Sequence, residues 1–285
     1  RAVLISIAIH TLWGGNPVAL KFGLMLFPPI WSAFVRFSLA VFCIIFWARS
    51  QRISLRPTRT EWPALLLLGM AFTVQIAIMN IGFDFTTGAM GVILISINPI
   101  FAALFAHFLI VGDRLTATKC FGLGAAFFGT ALVLLRSAGF EGLEFTGFGN
   151  WMVLASAALL GLRLMWSAKI LQYIDVVRVV IWQMLLSLPV FAAAGLAWET
   201  IRWENVGWVP IAGLAYQGII ITGLCFMISA WLMKNYMPSI MASFNFVSPV
   251  SGVILSAWLL ADRIMVSVVS GMVLTGLGLF FTARS

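Results

Sequence analysis

Apolar residues run on for about twenty positions at a time along this chain, and they do so ten times. The runs lie near 2–24, 30–49, 62–81, 87–111, 117–136, 149–171, 177–197, 207–231, 238–260 and 265–283. A hydrocarbon core of roughly 30 Å takes about 20 helical residues to cross, and backbone polar groups inside it must be satisfied within the segment. The pattern therefore predicts ten membrane-spanning helices. The longest connections, 50–61, 137–148 and 198–206, leave no room for a soluble domain. The first run is not read as a cleaved leader, because nine more follow and no small-residue cleavage site closes it.

Composition agrees. Of 285 residues, 17 are Lys or Arg and 9 are Asp or Glu, and 62% are hydrophobic. Soluble domains carry roughly a quarter charged residues, so a soluble enzyme or binding domain is excluded. Cys43, Cys120 and Cys225 all sit in apolar runs and read as packing residues. The net charge of +8 does not signal nucleic acid, because the bases are scattered singly at segment ends. Their distribution instead gives an orientation. With the N-terminus in the cytoplasm, Arg1, Arg49, Arg52, Arg56, Arg59, Arg114, Lys119, Lys169, Arg178, Lys234 and Arg284 fall inside, against Arg136, Arg202 and Arg263 outside. The expectation is a multi-pass protein of a cell inner membrane with both termini cytoplasmic.

The chain also repeats itself. Asn98-Pro99 is followed by Gly112-Asp113-Arg114-Leu115, Gly122 and Gly129; Ser248-Pro249 is followed by Ala261-Asp262-Arg263-Ile264, Gly271 and Gly278. The prolines are 150 residues apart, and the Asp-Arg pairs and both glycine pairs 149 apart. A duplicated five-helix unit, residues 1–140 and 141–285, would leave this register. An odd number of spans per unit inserts the second copy upside down, which is the build of many secondary transporters with a midplane site. The predicted fold is an all-α polytopic membrane protein of two inverted five-helix repeats.

These residues resemble a known family. Trp13-Gly14-Gly15-Asn16-Pro17, then Pro28-Pro29 and Arg36-Phe37, are similar to the opening of EamA-type members of the drug/metabolite transporter superfamily. The prolines of the fourth and ninth runs, the acid-containing turn after each, and the glycine-spaced fifth and tenth runs resemble the same pattern. The turn acid is Asp113 or Asp262 where that family more often has Glu; it is read as a structural helix-start residue. The abundance of Trp and Phe looks most like YddG-like exporters of amino acids. The resemblance implies a secondary, non-ATP transporter exporting small organic metabolites, especially aromatic or other hydrophobic amino acids.

Polar groups at membrane depth are costly and usually face a cavity or a partner. His10, Trp13, Gly14, Pro17 and Lys21 fall on one helical face of the first run, and Pro17 frees a carbonyl one turn back. With Asn16 they form a candidate substrate site, to which the third run adds Gln75 and Asn80. The fourth adds Ser96 and Asn98, the sixth Arg163, the eighth Tyr216 and Gln217, and the ninth Asn245 and Ser248. Pro17, Pro99 and Pro249 are the expected helix breaks. Helix-to-helix glue is the alternative role for about half of these polar groups. Arg36 and Arg163 have no acid at comparable depth; each is expected to bond carbonyls at a helix break, reach an interface or meet an anionic ligand, with the structural role weighed ahead for Arg36. The fifth and tenth runs read as peripheral packing helices.

No catalytic constellation, nucleotide motif or metal-ligand spacing appears, so neither an enzyme nor a cofactor is expected. The expected partners are a small-molecule substrate and the bilayer, and a monomer suffices if both repeats are in one chain. Without a buried carboxylate, facilitated diffusion is favoured over His-linked proton exchange. A sugar-phosphate or nucleotide-sugar transporter of the same fold, using Lys21, Arg163 and Arg36 as an anion clamp, is the alternative. A non-transporting membrane scaffold or receptor is the alternative of another class.

Overall fold

The computed structural model describes residues 2–86, 88–138, 147–252 and 266–284, and among them there is helix but no strand. Side chains of a few helical residues, Pro17 and Lys21 among them, are outside the description, as is the whole of Asp262-Arg263. The order is α1 (Ala2–Gly14), α2 (Asn16–Leu26), α3 (Pro29–Ser50), α4 (Trp62–Asp84), α5 (Gly88–Ile95), α6 (Asn98–Leu109) and α7 (Ala117–Ala138). Then come α8 (Phe148–Ile170), α9 (Val176–Trp198), α10 (Trp208–Ala215), a π-helical stretch (Tyr216–Cys225), α11 (Phe226–Asn235), α12 (Pro238–Ser243), a 3-10 turn (Phe244–Phe246) and α13 (Val266–Ala283). Helix thus occupies most of the described part of each of the ten runs. Among the described residues five stretches are long and apolar enough to cross a membrane: α3, α4, α8, α9 and Trp208–Asn235.

The interruptions follow from proline. Pro99 has no amide to give the Ile95 carbonyl one turn back. The chain turns at Ser96-Ile97, and Asn98 Nδ2 donates to that carbonyl at 2.9 Å. In the ninth run Pro249 leaves the Asn245 carbonyl in the same position, and the chain tightens to 3-10 over Phe244–Phe246 before resuming helix over 247–252. The first run breaks at Gly15, whose amide bonds back to the Leu12 carbonyl at 3.0 Å. Pro189, by contrast, lies inside α9 without ending it.

Two compact units form, each drawing helices from both halves of the sequence. One holds Arg1–Gly15, Gly82–Met165 and Asn235–Ser285; the other holds Asn16–Ile81 and Trp166–Lys234.

In the first unit the glycine-spaced helices pack on each other. A Cβ on Gly122 would come 2.7 Å from the Gly278 carbonyl, and one on Gly129 would come 2.6 Å from the Gly271 carbonyl. Adding 149 to Gly122 gives Gly271, and subtracting it from Gly278 gives Gly129, so one contact becomes the other. Thr275 Oγ1 donates to its own Gly271 carbonyl at 2.9 Å, which keeps that hydroxyl satisfied at the seam. Removing Cβ atoms lets backbones approach where no hydrophobic drive favours association. Beside this seam Ala103, Leu123, Ala126 and Phe246 form a buried apolar cluster.

In the second unit aromatic rings do the corresponding work. Phe37 sits 4.9 Å from Phe72, edge to face, and 6.0 Å from Phe191, stacked, joining α3, α4 and α9. Helix ends here are capped from distant segments. The Glu199 carboxylate accepts from the Ile30 and Trp31 amides at 2.9 Å, at the positive end of α3. The last carbonyls of α2 accept from the Arg202 guanidinium, at Leu24, and from the Asn205 amide, at Met25, 3.2 and 2.9 Å away.

Candidate functional site

The polar residues predicted for the site fall into two sets. In the first unit they form a chain. His10 is buried on α1; its Nδ1 lies 2.7 Å from the Ser6 carbonyl and its Nε2 lies 2.9 Å from Asn245 Oδ1. Asn245 Nδ2 donates to Asn98 Oδ1 at 3.0 Å, and Asn98 Nδ2 ends the chain on the Ile95 carbonyl. Each amide sits at an interruption: Asn98 opens α6, and Asn245 is the middle residue of the 3-10 turn. The Trp13 ring centroid lies 5.8 Å from that of His10, giving the chain an aromatic wall. Close backbone approach holds α1 here. A Cβ on Gly14 would lie 2.7 Å from the Gly252 amide nitrogen and 2.8 Å from the Ser248 carbonyl. That carbonyl also accepts from Ser251 Oγ at 3.0 Å, while the Ser248 hydroxyl itself has no partner among the described residues. Ser96 and Arg163 are buried in the same unit, and Pro249 is buried beside Ser248. Gly161, two residues before Arg163, brings α8 against the α6 backbone at Ala102.

The second set is in the other unit. Gln217 Nε2 donates to Asn16 Oδ1 at 3.0 Å, joining the start of α2 to the π-helical stretch. The buried Gln217 Oε1 has no partner among the described residues. Asn80 Nδ2 donates to the Pro29 carbonyl at 3.0 Å, and Gln75 Nε2 approaches Met79 Sδ at 3.8 Å. Tyr216 is half-buried. The helical face drawn from His10 to Lys21 is divided: the chain turns at Gly15, His10 and Trp13 belong to one unit, and Asn16, Pro17 and Lys21 to the other. What the side chains of Pro17 and Lys21 contact lies outside the described residues.

Arg36 is a buried cation of the second unit. It is 5% exposed in the middle of α3, its Nε has no acceptor, and no ion pair reaches it among the described residues. Of the three roles expected for it, bonding to carbonyls at a helix break is not seen among the described residues; the contact it does make is with the neighbouring Phe37 ring, 4.7 Å from Cζ. Its own carbonyl faces Gly218, where a Cβ would come within 2.9 Å, so α3 meets the π-helical stretch at this level.

Asp113 also departs from expectation. It does not start the helix that follows it, since Thr116 Oγ1 accepts from the Lys119 amide there, at 3.1 Å. Asp113 instead accepts from the Ser239 amide at 3.0 Å, at the start of α12, and from Lys119 Nζ at 2.6 Å. Lys119 Nζ also donates to Ser239 Oγ at 3.0 Å. Gly112, with φ +87°, makes the left-handed turn that leads into Asp113.

Comparison with known proteins sets this geometry in a family. The chain resembles the probable amino-acid metabolite efflux pump of Escherichia coli (strain K12), 26% identical over 97% of this chain and 93% of that protein. It also resembles the uncharacterised transporter YoaV of Bacillus subtilis (strain 168), 22% identical over 98% of this chain and 96% of the relative. A solved protein crystal structure shares the fold with a TM-score of 0.82 at 17% identity, covering 99% of this chain and 97% of the other. The EamA-like transporter family matches residues 1–135 and again residues 147–284, and this chain is therefore a member of that family, a membrane transporter.

Proposed function

We propose that this transporter exports amino acids, aromatic and other bulky hydrophobic ones above all, across a cell inner membrane. The observation that carries the reading is the set of buried amides and an imidazole gathered at helix interruptions, His10, Asn98 and Asn245, with the Trp13 indole beside them. Interrupted helices expose amide N–H and carbonyl groups that suit a carboxylate and an ammonium, and an indole suits an apolar side chain. The likeness to a probable amino-acid metabolite efflux pump supports the substrate class. Asn16, Gln75, Asn80, Ser96, Arg163, Tyr216, Gln217, Ser248 and Lys21 remain in the proposed path, and Arg36 joins them as the cation for the substrate carboxylate.

The proposed frame is ten spans in two inverted five-helix repeats, with both termini cytoplasmic. The double family match supports it, and so does the self-exchange of the α7–α13 contacts on a shift of 149 residues. Alternating access would come from rocking of the two repeats around the site. The test is counterflow in proteoliposomes holding the purified chain, with a radiolabelled panel of amino acids and sugar phosphates. Exchange of Phe, Trp and Leu is expected. Exchange of sugar phosphates alone moves the assignment to the anion-clamp alternative, and no exchange of any solute overturns transport of these classes.

A further inference from the structure

The hydrogen-bonded chain in the first unit has four links, and both of its ends are backbone carbonyls. A carbonyl only accepts, so the direction of each link can be counted from the ends inward. At one end the Ser6 carbonyl, 2.7 Å from His10 Nδ1, requires a proton on Nδ1. At the other, the Ile95 carbonyl requires the Asn98 amide nitrogen, which turns Asn98 Oδ1 towards Asn245. Asn245 then donates through Nδ2 and presents Oδ1 to His10 Nε2 at 2.9 Å. That oxygen requires a proton on Nε2 as well. Turning over either side-chain amide only moves the fault to another link, so the count does not rest on how oxygen and nitrogen are assigned.

A neutral imidazole has one donor and one acceptor and satisfies three links of the four. The fourth then sets a nitrogen lone pair against an oxygen at 2.7 or 2.9 Å. An imidazolium satisfies all four. Burying a cation is costly, and compensation has to come from oriented dipoles. Here two carbonyls and two amides, aligned head to tail, supply them. Among the described residues of the segments that carry the chain no other charge does, and the buried Arg163, on α8 beside α6, is itself a cation. The sequences of α1, α12, the 3-10 turn and residues 247–252 contain no acid or base besides His10, and α6 contributes only His107, nine positions from Asn98.

We propose that His10 is a proton-binding site of this transporter, filled in the arrangement seen here. The claim rests on the transporter reading for its use but not for its test. Two of the four links join elements: His10 to Asn245 ties α1 to the 3-10 turn, and Asn245 to Asn98 ties that turn to α6. Losing the proton removes one of four donors, so one link must open or turn, either the Ser6 link inside α1 or one of the two junctions. Where a junction is the link that gives, the proton acts on the same interruptions at which the substrate is proposed to bind. This is the route by which a chain whose described α-helices hold no carboxylate besides Asp84, the last residue of α4, can answer a proton gradient.

The test is the ring state of His10 in the full chain, reconstituted in lipid with ring-15N histidine. His107→Gln removes the other histidine signal. At a pH about one unit above the ordinary imidazole value of roughly 6.5, both His10 nitrogens should be protonated. Asn245→Leu removes the second acceptor, and the ring should then be neutral at the same pH. A neutral ring in the parent at that pH overturns the proposal, as does a ring that stays doubly protonated in Asn245→Leu. Amino-acid counterflow in the same vesicles reads the transporter function separately: exchange alongside a neutral His10 removes the proton site and leaves the transport reading standing.

Discussion

Lys119 and Arg36 are both cations withdrawn from water, and the protein treats them in opposite ways. Lys119 is 1% exposed, and its ammonium meets the Asp113 carboxylate and the Ser239 hydroxyl. The carboxylate is occupied on both oxygens, by the lysine on one side and by the amide that opens α12 on the other. Every charge in that cluster has its complement, which is what a structural ion pair requires. Arg36 is withdrawn almost as far, with no counter-charge among the described residues. A guanidinium does not shed its proton to escape. Burial with a complete set of partners ties segments together; the unpartnered Arg36 Nε is what its proposed role towards a substrate carboxylate draws on.

The largest expected effect tests the satisfied end of this contrast. Asp113→Asn leaves the Lys119 charge buried without its counter-ion, at a cost of about 3–5 kcal/mol. The purified protein should melt at a clearly lower temperature in detergent, and Asp113→Leu combined with Lys119→Met should recover most of the loss. Unchanged melting of Asp113→Asn would end the comparison there. Arg36→Met should behave the other way round. The fold should hold to within about 1 kcal/mol, while exchange of carboxylate-bearing substrates falls by roughly 10- to 100-fold, as loss of a charged hydrogen bond worth about 1.5–3 kcal/mol implies. Melting that drops as far as in Asp113→Asn would make Arg36 a structural residue after all.

A smaller and more selective effect is expected at the aromatic wall. Trp13→Ala should reduce exchange of tryptophan and phenylalanine several-fold more than that of alanine, measured at equal reconstitution. Equal loss for all substrates would mean that the indole holds α1 in place rather than recognising a side chain. The smallest effect is the baseline. Phe280 and Phe281 are on the outward side of α13, 48% and 38% exposed. Replacing either with Ala should move stability by no more than about 0.5 kcal/mol and selectivity not at all. Altered selectivity in these variants would place substrate along α13.

Much of this was legible before the fold. Runs of some twenty apolar residues located the helices, because the length of a span is a property of the run itself. The break at Asn98-Pro99 was legible because proline lacks a donor whatever surrounds it. The ninth run breaks three residues ahead of Pro249, at Phe244–Phe246, where the missing bond falls on the carbonyl side. The π-helical stretch was not legible: its residue Gly218 packs on α3 at Arg36 and Leu39, a contact that only the folded unit supplies. One partner of Asp113, Lys119, is six residues on, but the other, Ser239, lies 126 residues away on α12, beyond any local pattern. Arg36 shows the same limit from the other side. Its place in a membrane run was plain, but the lack of a counter-charge among the described residues is a property of its neighbours.

The Asp113 cluster has a consequence for synthesis. Chains emerge from the N-terminus onward, and their parts take shape in that order. Asp113 and Lys119 are six positions apart and leave the ribosome together, whereas Ser239 follows 120 residues after the lysine. The two charges can therefore cancel each other as soon as they are made. Ser239 adds only hydrogen bonds when it arrives, and it finds a finished acceptor waiting to start its helix. Neither charge has to enter apolar surroundings alone at any stage of assembly.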